Sequence, residues 1–386
     1  MRPMPEALLI HADSERDPDM LAVTGVAVGD PFTYIEQPDR RIVLISLLDA
    51  PAIERESGVD EVWLDDELGR GEMVRSGMPS QEVRMELVRR ALERAGLRAA
   101  TVPPSFPVAL ADYLRGRGIE LTPEARPFQM RRRVKDERAL SGIRKAQRAT
   151  EQGFAAAHEA LGASSPGPDG LVLEGELLTC ERLADIITTT LRDHGCGGEP
   201  PLISAGGRGL IGHDSATGPI LAGESVIIDV FPQHLTSRMH TDMTRTFCVG
   251  PAPDRLHHMY GVIREALRRS SEEIIAGVTG RHVWESACDV IEDAGFRTLR
   301  SIDDGESLAE DFFHSLGHGV GLSVHEAPLL GMSGADELVP GDVLAVEPGV
   351  YKAGFGGVRL EDLVVVREDG AELLTDFPYQ LEIHPS

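Results

Sequence analysis

The segment that most limits how this chain folds is His314-Ser-Leu-Gly-His318-Gly-Val-Gly-Leu-Ser-Val-His325-Glu326. Three histidines and three glycines share twelve residues, so no regular amphipathic helix can run through it. The glycines keep the backbone thin and bring the imidazoles into one concave place that admits a ligand. For any one of these histidines a hydrogen-bonded structural role is the ordinary reading. The carboxylates on either side shift that balance: Asp229 and Asp242 come before the segment, Glu347 and Glu361 after it. Four acids and a histidine make a hard, mostly oxygen shell of the kind that suits two divalent ions.

A chain of 386 residues exceeds a typical single core, so two domains are expected. The net charge of −25 is spread along the chain with no acidic tail. Nucleic acid and anionic membranes need a basic face, so neither is expected as a partner. Cys180, Cys196, Cys248 and Cys288 stand far apart without a CxxC, which reads as reduced thiols in a reducing compartment. Met1–Ile10 does not read as a signal peptide, and no window approaches the roughly 18 apolar residues of a membrane span. A cytoplasmic protein is the expectation.

Along the chain, residues 7–10, 42–45 and 62–64 read as buried strands. Ser80–Ala95 reads as a helix, with Val83, Leu87, Val88, Ala91 and Leu92 on one stripe and Gly96 as its stop. This alternation predicts a small α/β domain up to about Pro127, without a phosphate loop or clustered acids. Arg131, Arg132 and Arg133 suggest a solvated helix entrance or a salt bridge between domains. A long helix follows over Val134–Leu161, then a loop over Gly162–Gly170 and a helix over Thr179–His194 with Thr179 as N-cap. Strands are expected at Ser225–Phe231, Asp242–Val249, Val343–Val346, Val358–Val366 and Tyr379–Ile383, and helices around Asp254–Ala276 and Val283–Ala294. The second part of the chain is therefore α+β.

Asp229 stands inside an apolar strand, where an uncompensated carboxylate is costly. A dinuclear site wants five or six ligands per ion, with carboxylates bridging a pair roughly 3.5–4 Å apart. Asp229, Asp242, His318, Glu347 and Glu361 are the number and types required. Without metal, four acids in one cavity repel, and some must take up protons. Pro348 stops the strand at Glu347. On one strand Arg359 would share a face with Glu361, and Thr244 and Thr246 would share one with Asp242. From there Arg359 can pair with a ligand carboxylate or reach the substrate.

Five stretches then occur in a familiar order: Ile-Asp-Val-Phe, Thr-Asp-Met-Thr-Arg-Thr-Phe, His-Ser-Leu-Gly-His-Gly-Val-Gly-Leu-Ser-Val-His-Glu-Ala-Pro, Val-Glu-Pro-Gly-Val-Tyr and Gly-Gly-Val-Arg-Leu-Glu-Asp. They resemble the pita-bread dinuclear metallopeptidases, in particular the Xaa-Pro branch of aminopeptidase P and prolidase, with creatinase as a non-peptidase cousin. The resemblance implies an α/β creatinase-type N-terminal domain over 1–130 and an α+β pita-bread catalytic domain over 131–386. It implies two divalent ions, Mn²⁺ first and Co²⁺ or Zn²⁺ also possible, and hydrolysis of the bond between an N-terminal residue and proline by a metal-bridging hydroxide. The substrate would be a small peptide with proline second, and the protein a homodimer.

Carried over position by position, Asp229 would bind one ion through both oxygens, Asp242 and Glu361 would bridge the pair, and His318 and Glu347 would complete the other. Glu347 resembles the general base. His213 resembles a substrate-contacting histidine, His325 the residue that stabilises the tetrahedral intermediate, and Arg359 an arginine tied to substrate carboxylate recognition. His314 resembles a supporting residue behind the ligands. The alternatives are a creatinase-like hydrolase of a non-peptide C–N bond and a non-catalytic binding protein on the same fold. One departure is the thirteen-residue spacing from Asp229 to Asp242, longer than usual, which carries His234 and His240. A longer hairpin tip is the plain expectation, and a pocket-lining His240 the other.

Overall fold

The structure is a computed structural model that describes residues 7–209, 215–303 and 305–385. The chain divides into two compact units, Met1–Arg132 and Arg133–Ser386.

In the first unit six strands form one sheet: β1 (Leu8–Ala12), β2 (Phe32–Gln37), β3 (Arg40–Ile45), β4 (Glu61–Leu64), β5 (Ala99–Val102) and β6 (Glu120–Pro123). Their order is β4-β3-β2-β1-β5-β6, with β2 antiparallel to both neighbours and every other pair parallel. The apolar runs are continuous because both faces of this sheet are covered. Leu9, Ile42 and Leu44 enter one core cluster, while Ile10, Val43 and Ile45 enter another on the opposite face. Helix α1 (Ser80–Arg94) buries the stripe Val83, Leu87, Val88, Ala91 and Leu92 against the first cluster. The four-residue strands β5 and β6 have too few positions to show alternation in sequence.

The second unit begins with two packed helices, α2 (Glu137–Ala163) and α3 (Cys180–Asp193). Asp136 caps α2 by accepting from the Ala139 N–H at 2.8 Å, and Thr179 caps α3 as expected. The expected loop between them holds a short hairpin instead, Ser165–Gly167 pairing with Gly170–Leu173. Three antiparallel strands follow, β7 (Leu202–Ala205), β8 (Val226–Val230) and β9 (Met243–Val249). After α4 (Asp254–Glu272) and α5 (Gly280–Asp293) come β10 (Gly317–Gly319), β11 (Glu326–Leu330) and β12 (Val343–Val346). Then follow a two-stranded ribbon, β13 (Gly349–Lys352) with β14 (Gly356–Arg359), and the strands β15 (Asp362–Arg367) and β16 (Gly370–Leu373). The second sheet runs β11-β10-β12-β15-β16.

The expected strand Val358–Val366 is thus two strands in different sheets. The break falls at Leu360–Glu361 because their backbone bonds elsewhere. The Glu361 N–H donates to the Thr244 carbonyl at 3.0 Å, and its own carbonyl accepts from the buried Arg245 guanidinium at 2.7 Å. The arginine triplet divides at the unit boundary. Arg131 pairs with Glu36 and Arg132 with Asp19 in the first unit, and Arg133 forms a buried pair with Asp342 at 2.7 Å in the second. Among the described residues no helix is long and apolar enough to cross a membrane.

Candidate metal centre

Strands β8 and β9 pair so that Asp229 lies opposite Thr244. Opposed residues share a face, and so do residues two apart, which puts Asp229, Asp242, Thr244 and Thr246 on one side of the hairpin. The residues between the strands fold into a closed tip. His234 accepts from the Ser237 N–H at 3.1 Å. His240 lies 3.2 Å from the Gln233 amide nitrogen, and its backbone N–H donates to the Gly321 carbonyl at 2.7 Å. Burial lowers the pKa of both rings, that of His240 to about 4.

The histidine segment enters from the other sheet. Its central strand β10 lies between β11 and β12, and a side chain at either glycine has no room. A Cβ at Gly317 would stand 1.9 Å from the Ala345 carbonyl oxygen, and one at Gly319 would stand 2.3 Å from that of Ala327. The glycines therefore bring the strands close while His318, between them, faces the acids. His318 Nδ1 lies 3.1 Å from the Gly319 carbonyl, which favours its proton and leaves Nε2 bare toward the carboxylates. His318 Nε2 is 3.7 Å from Asp242 and 3.6 Å from Glu347. Asp242, His318 and Glu361 each offer a ligand atom, all within 4.8 Å of one another.

The electrostatics ask for cations. Asp229 Oδ1, Asp242 Oδ1 and Glu361 Oε1 are buried with no hydrogen-bond partner among the described residues. Each such atom costs about 1–3 kcal/mol unless something compensates it. Burial, reinforced by neighbouring acids, pushes the Asp242 and Glu361 carboxyls well above the usual carboxylate range. Glu347 rises to about 8 through burial, with Arg359 opposing the shift and Asp229 adding to it. His318 falls to about 4, through burial first and His325 second. Carboxylates with bare lone pairs and a neutral imidazole are the donor set that two divalent ions fit.

Arg359 is bound on all three guanidinium nitrogens. Nη2 donates to Asp229, Nη1 to the Tyr351 hydroxyl at 3.2 Å and Nε to Thr244 Oγ1 at 3.2 Å. Thr244 in turn donates to Glu361 Oε2 at 2.8 Å. Of its two expected uses, pairing with a candidate ligand carboxylate is the one seen. His314 sits behind this chain, with Nε2 3.0 Å from the Tyr351 hydroxyl and Nδ1 2.7 Å from the Ser315 carbonyl. It does not join the acid cluster. His325 is exposed, its ring edge-on to His318 at 4.2 Å between centroids. His213 lies outside the described residues.

Tyr351 was not singled out by sequence. Its trace is the Gly356-Gly357 pair: β13 sets Tyr351 opposite Gly357, where a Cβ would stand 2.5 Å from the tyrosine ring.

Three known proteins bear on the chain. The probable dipeptidase PepE of Mycobacterium tuberculosis (strain ATCC 25618 / H37Rv) is 29% identical over 285 residues, covering 74% of this chain and 69% of the relative. The Xaa-Pro dipeptidase of Pyrococcus furiosus is 34% identical over 175 residues, 45% of this chain and 46% of that one. The crystal structure of the prolidase from Pyrococcus horikoshii OT3 superposes with a TM-score of 0.76 at 23% identity, over 97% of this chain and 95% of that one. This likeness bears out the pita-bread architecture with its N-terminal domain. The pattern of metallopeptidase family M24 matches residues 141–368, more than half the chain, and the chain belongs to that family.

Proposed function

We propose that this protein hydrolyses the peptide bond between an N-terminal residue and proline, as an Xaa-Pro dipeptidase or aminopeptidase. The observation that carries the reading is the set of buried carboxylate oxygens on Asp229, Asp242 and Glu361 around His318, without hydrogen-bond partners among the described residues, in a chain of family M24. The printed activity of the Pyrococcus furiosus relative supports proline as the residue after the scissile bond.

Asp229, Asp242, His318, Glu347 and Glu361 would hold two divalent ions, with Mn²⁺ our first choice and Co²⁺ or Zn²⁺ suited to the same donors. Such a pair, when bound, acidifies water and polarises a carbonyl. Glu347 would take the proton of the attacking water, as a carboxylate beside the ions. His325, exposed beside His318, donates a hydrogen bond to the carbonyl oxygen as charge develops there. His213 contacts the substrate. Arg359 holds Asp229 in place, and it reaches a substrate carboxylate only by giving up one of its present bonds. Proline offers no N–H, so the site reads ring shape and not a donor. We also place the enzyme in the cytoplasm, in keeping with four buried, unpaired cysteines, and as a homodimer on the resemblance alone. A creatinase-like reaction is disfavoured because all five ligand positions carry metal-binding side chains.

The test is to strip the protein with a chelator, restore Mn²⁺, Co²⁺ or Zn²⁺ in turn, and compare an Xaa-Pro dipeptide with an Xaa-Pro-Yaa tripeptide. Cleavage of either after restoration supports the reading, and the faster one names the branch. Both peptides left intact with every metal overturns it.

A further inference from the structure

Lys135 lies before the stretch matched by family M24, which begins at residue 141, yet its side chain ends beside the histidine segment. Its Nζ stands 2.5 Å from Glu326 Oε1, and both side chains are 2% exposed. A second bond, 3.0 Å to the Arg133 carbonyl, fixes the ammonium, and the Lys135 N–H donates to the Gly341 carbonyl at 3.0 Å. Desolvating two charges this fully is costly, and such a pair is a weak source of stability. It does fix geometry.

Glu326 follows His325 directly. Where the chain enters β11, Glu326 turns inward to Lys135, while His325 stays exposed and edge-on to His318. Gly321 belongs to the same arrangement. A Cβ there would stand 2.3 Å from Glu326 Oε1 and 2.8 Å from Lys135 Cε, so this third glycine of the segment leaves room for the ion pair. Gly321 also accepts from the His240 N–H at 2.7 Å, which ties the β8–β9 tip to the same point.

We propose that Lys135 is a positioning residue for His325: by holding Glu326 in the interior beside Gly321, it sets the histidine ring toward the reacting carbonyl. The inference rests on the role given to His325 above. We set the expected loss at about 10–100-fold in activity, by analogy with partners that orient metal-ligating side chains. Lys135→Met should lower kcat by that factor, with KM and metal stoichiometry close to wild type. Lys135→Arg, which keeps the charge, should recover most of the loss, and Gly321→Ala should reproduce it. Should Lys135→Met not fold, Glu326→Gln, which keeps the shape, serves in its place.

The deciding measurement is a double-mutant cycle. In a His325→Ala background, adding Lys135→Met should change kcat less than about threefold, because the residue it positions is gone. Equal losses in both backgrounds, or an unchanged kcat in Lys135→Met, overturn the proposal. If wild-type protein cleaves no Xaa-Pro peptide, the functional reading fails on its own. The proposal is then read from ¹³C-histidine NMR of the metal-loaded protein, where Lys135→Met should shift the His325 Cε1–H signal. An unmoved signal overturns it.

Discussion

Arg359 and Asp229 form an ion pair between the last residue of β14 and the penultimate residue of β8, with the same guanidinium reaching Tyr351 and Thr244. Asp229 thus has one oxygen on arginine and the other, Oδ1, buried without a hydrogen-bond partner among the described residues. That division fixes the carboxylate plane while leaving a lone pair for a cation. Lysine cannot reproduce a three-way planar fork. Arg359→Lys should therefore weaken metal binding and kcat/KM by about 10–100-fold, the usual range for partners behind metal ligands. Isothermal titration with Mn²⁺ alongside peptide kinetics checks this, and a variant within twofold of wild type in both would show that the fork is dispensable.

Glu347 stands at the end of β12, and its backbone N–H donates to the Leu316 carbonyl at 2.7 Å. Its placement thus rests on the backbone and not on the charge of its side chain. Glu347→Gln should keep a cooperative unfolding transition and at least one bound ion while losing turnover by 10³-fold or more, the scale of a general base together with a metal ligand. Wild-type-like turnover in this variant would remove Glu347 from the base role.

The raised pKa values give the metal-free protein a distinctive pH response. Asp242, Glu361 and Glu347 hold protons in the folded state at pH values where the unfolded chain, with carboxyls near 4, has released them. The folded state therefore binds more protons between about pH 4.5 and 8, and stability falls as pH rises through that window. Cations replace those protons, so the metal-loaded protein should lack the trend. Thermal unfolding from pH 5 to 8, with chelator and with Mn²⁺, should show a gap that widens with pH. In a domain of this size each kcal/mol moves Tm by about 2–4 °C. Parallel curves would contradict the protonated cluster.

Much of this site was legible because its chemistry is written in residue types that a core otherwise avoids. Asp229 in an apolar strand, and Glu347 fixed by Pro348, are anomalies visible in the sequence itself. The fold was legible where period and length agreed, as in α1 and in the Thr179 cap of α3. It was illegible where a tertiary bond decided the outcome. Nothing in Val-Arg-Leu-Glu-Asp-Leu-Val announces a break, which comes from Arg245 reaching the Glu361 carbonyl from another strand. Tyr351 was hidden for a similar reason, since its importance lies in linking Arg359 to His314 across three elements. Lys135 was hidden by distance, 191 residues from its partner Glu326.

Gly317 offers a test of the packing that brings His318 to the acids. It pairs with Leu330 on one side and Val346 on the other. A Cβ at this position would stand 1.9 Å from the Ala345 carbonyl oxygen and 3.4 Å from Leu330 Cδ1, and the nearer clash is with backbone, which cannot swing away. Gly317→Ala must therefore push β10 from β12. Overpacking of this kind costs about 1–3 kcal/mol. Because His318 is the next residue, the same displacement should reduce metal affinity as well as stability. A matched alanine at Gly277, whose φ of +88° strains any side chain but which has nothing within 4 Å of its Cβ, should lower stability without touching metal affinity. Urea unfolding and Mn²⁺ titration of both variants separate the two effects, and equal metal affinity in Gly317→Ala and wild type would show that His318 reaches the cluster without help from the close approach of β10 and β12.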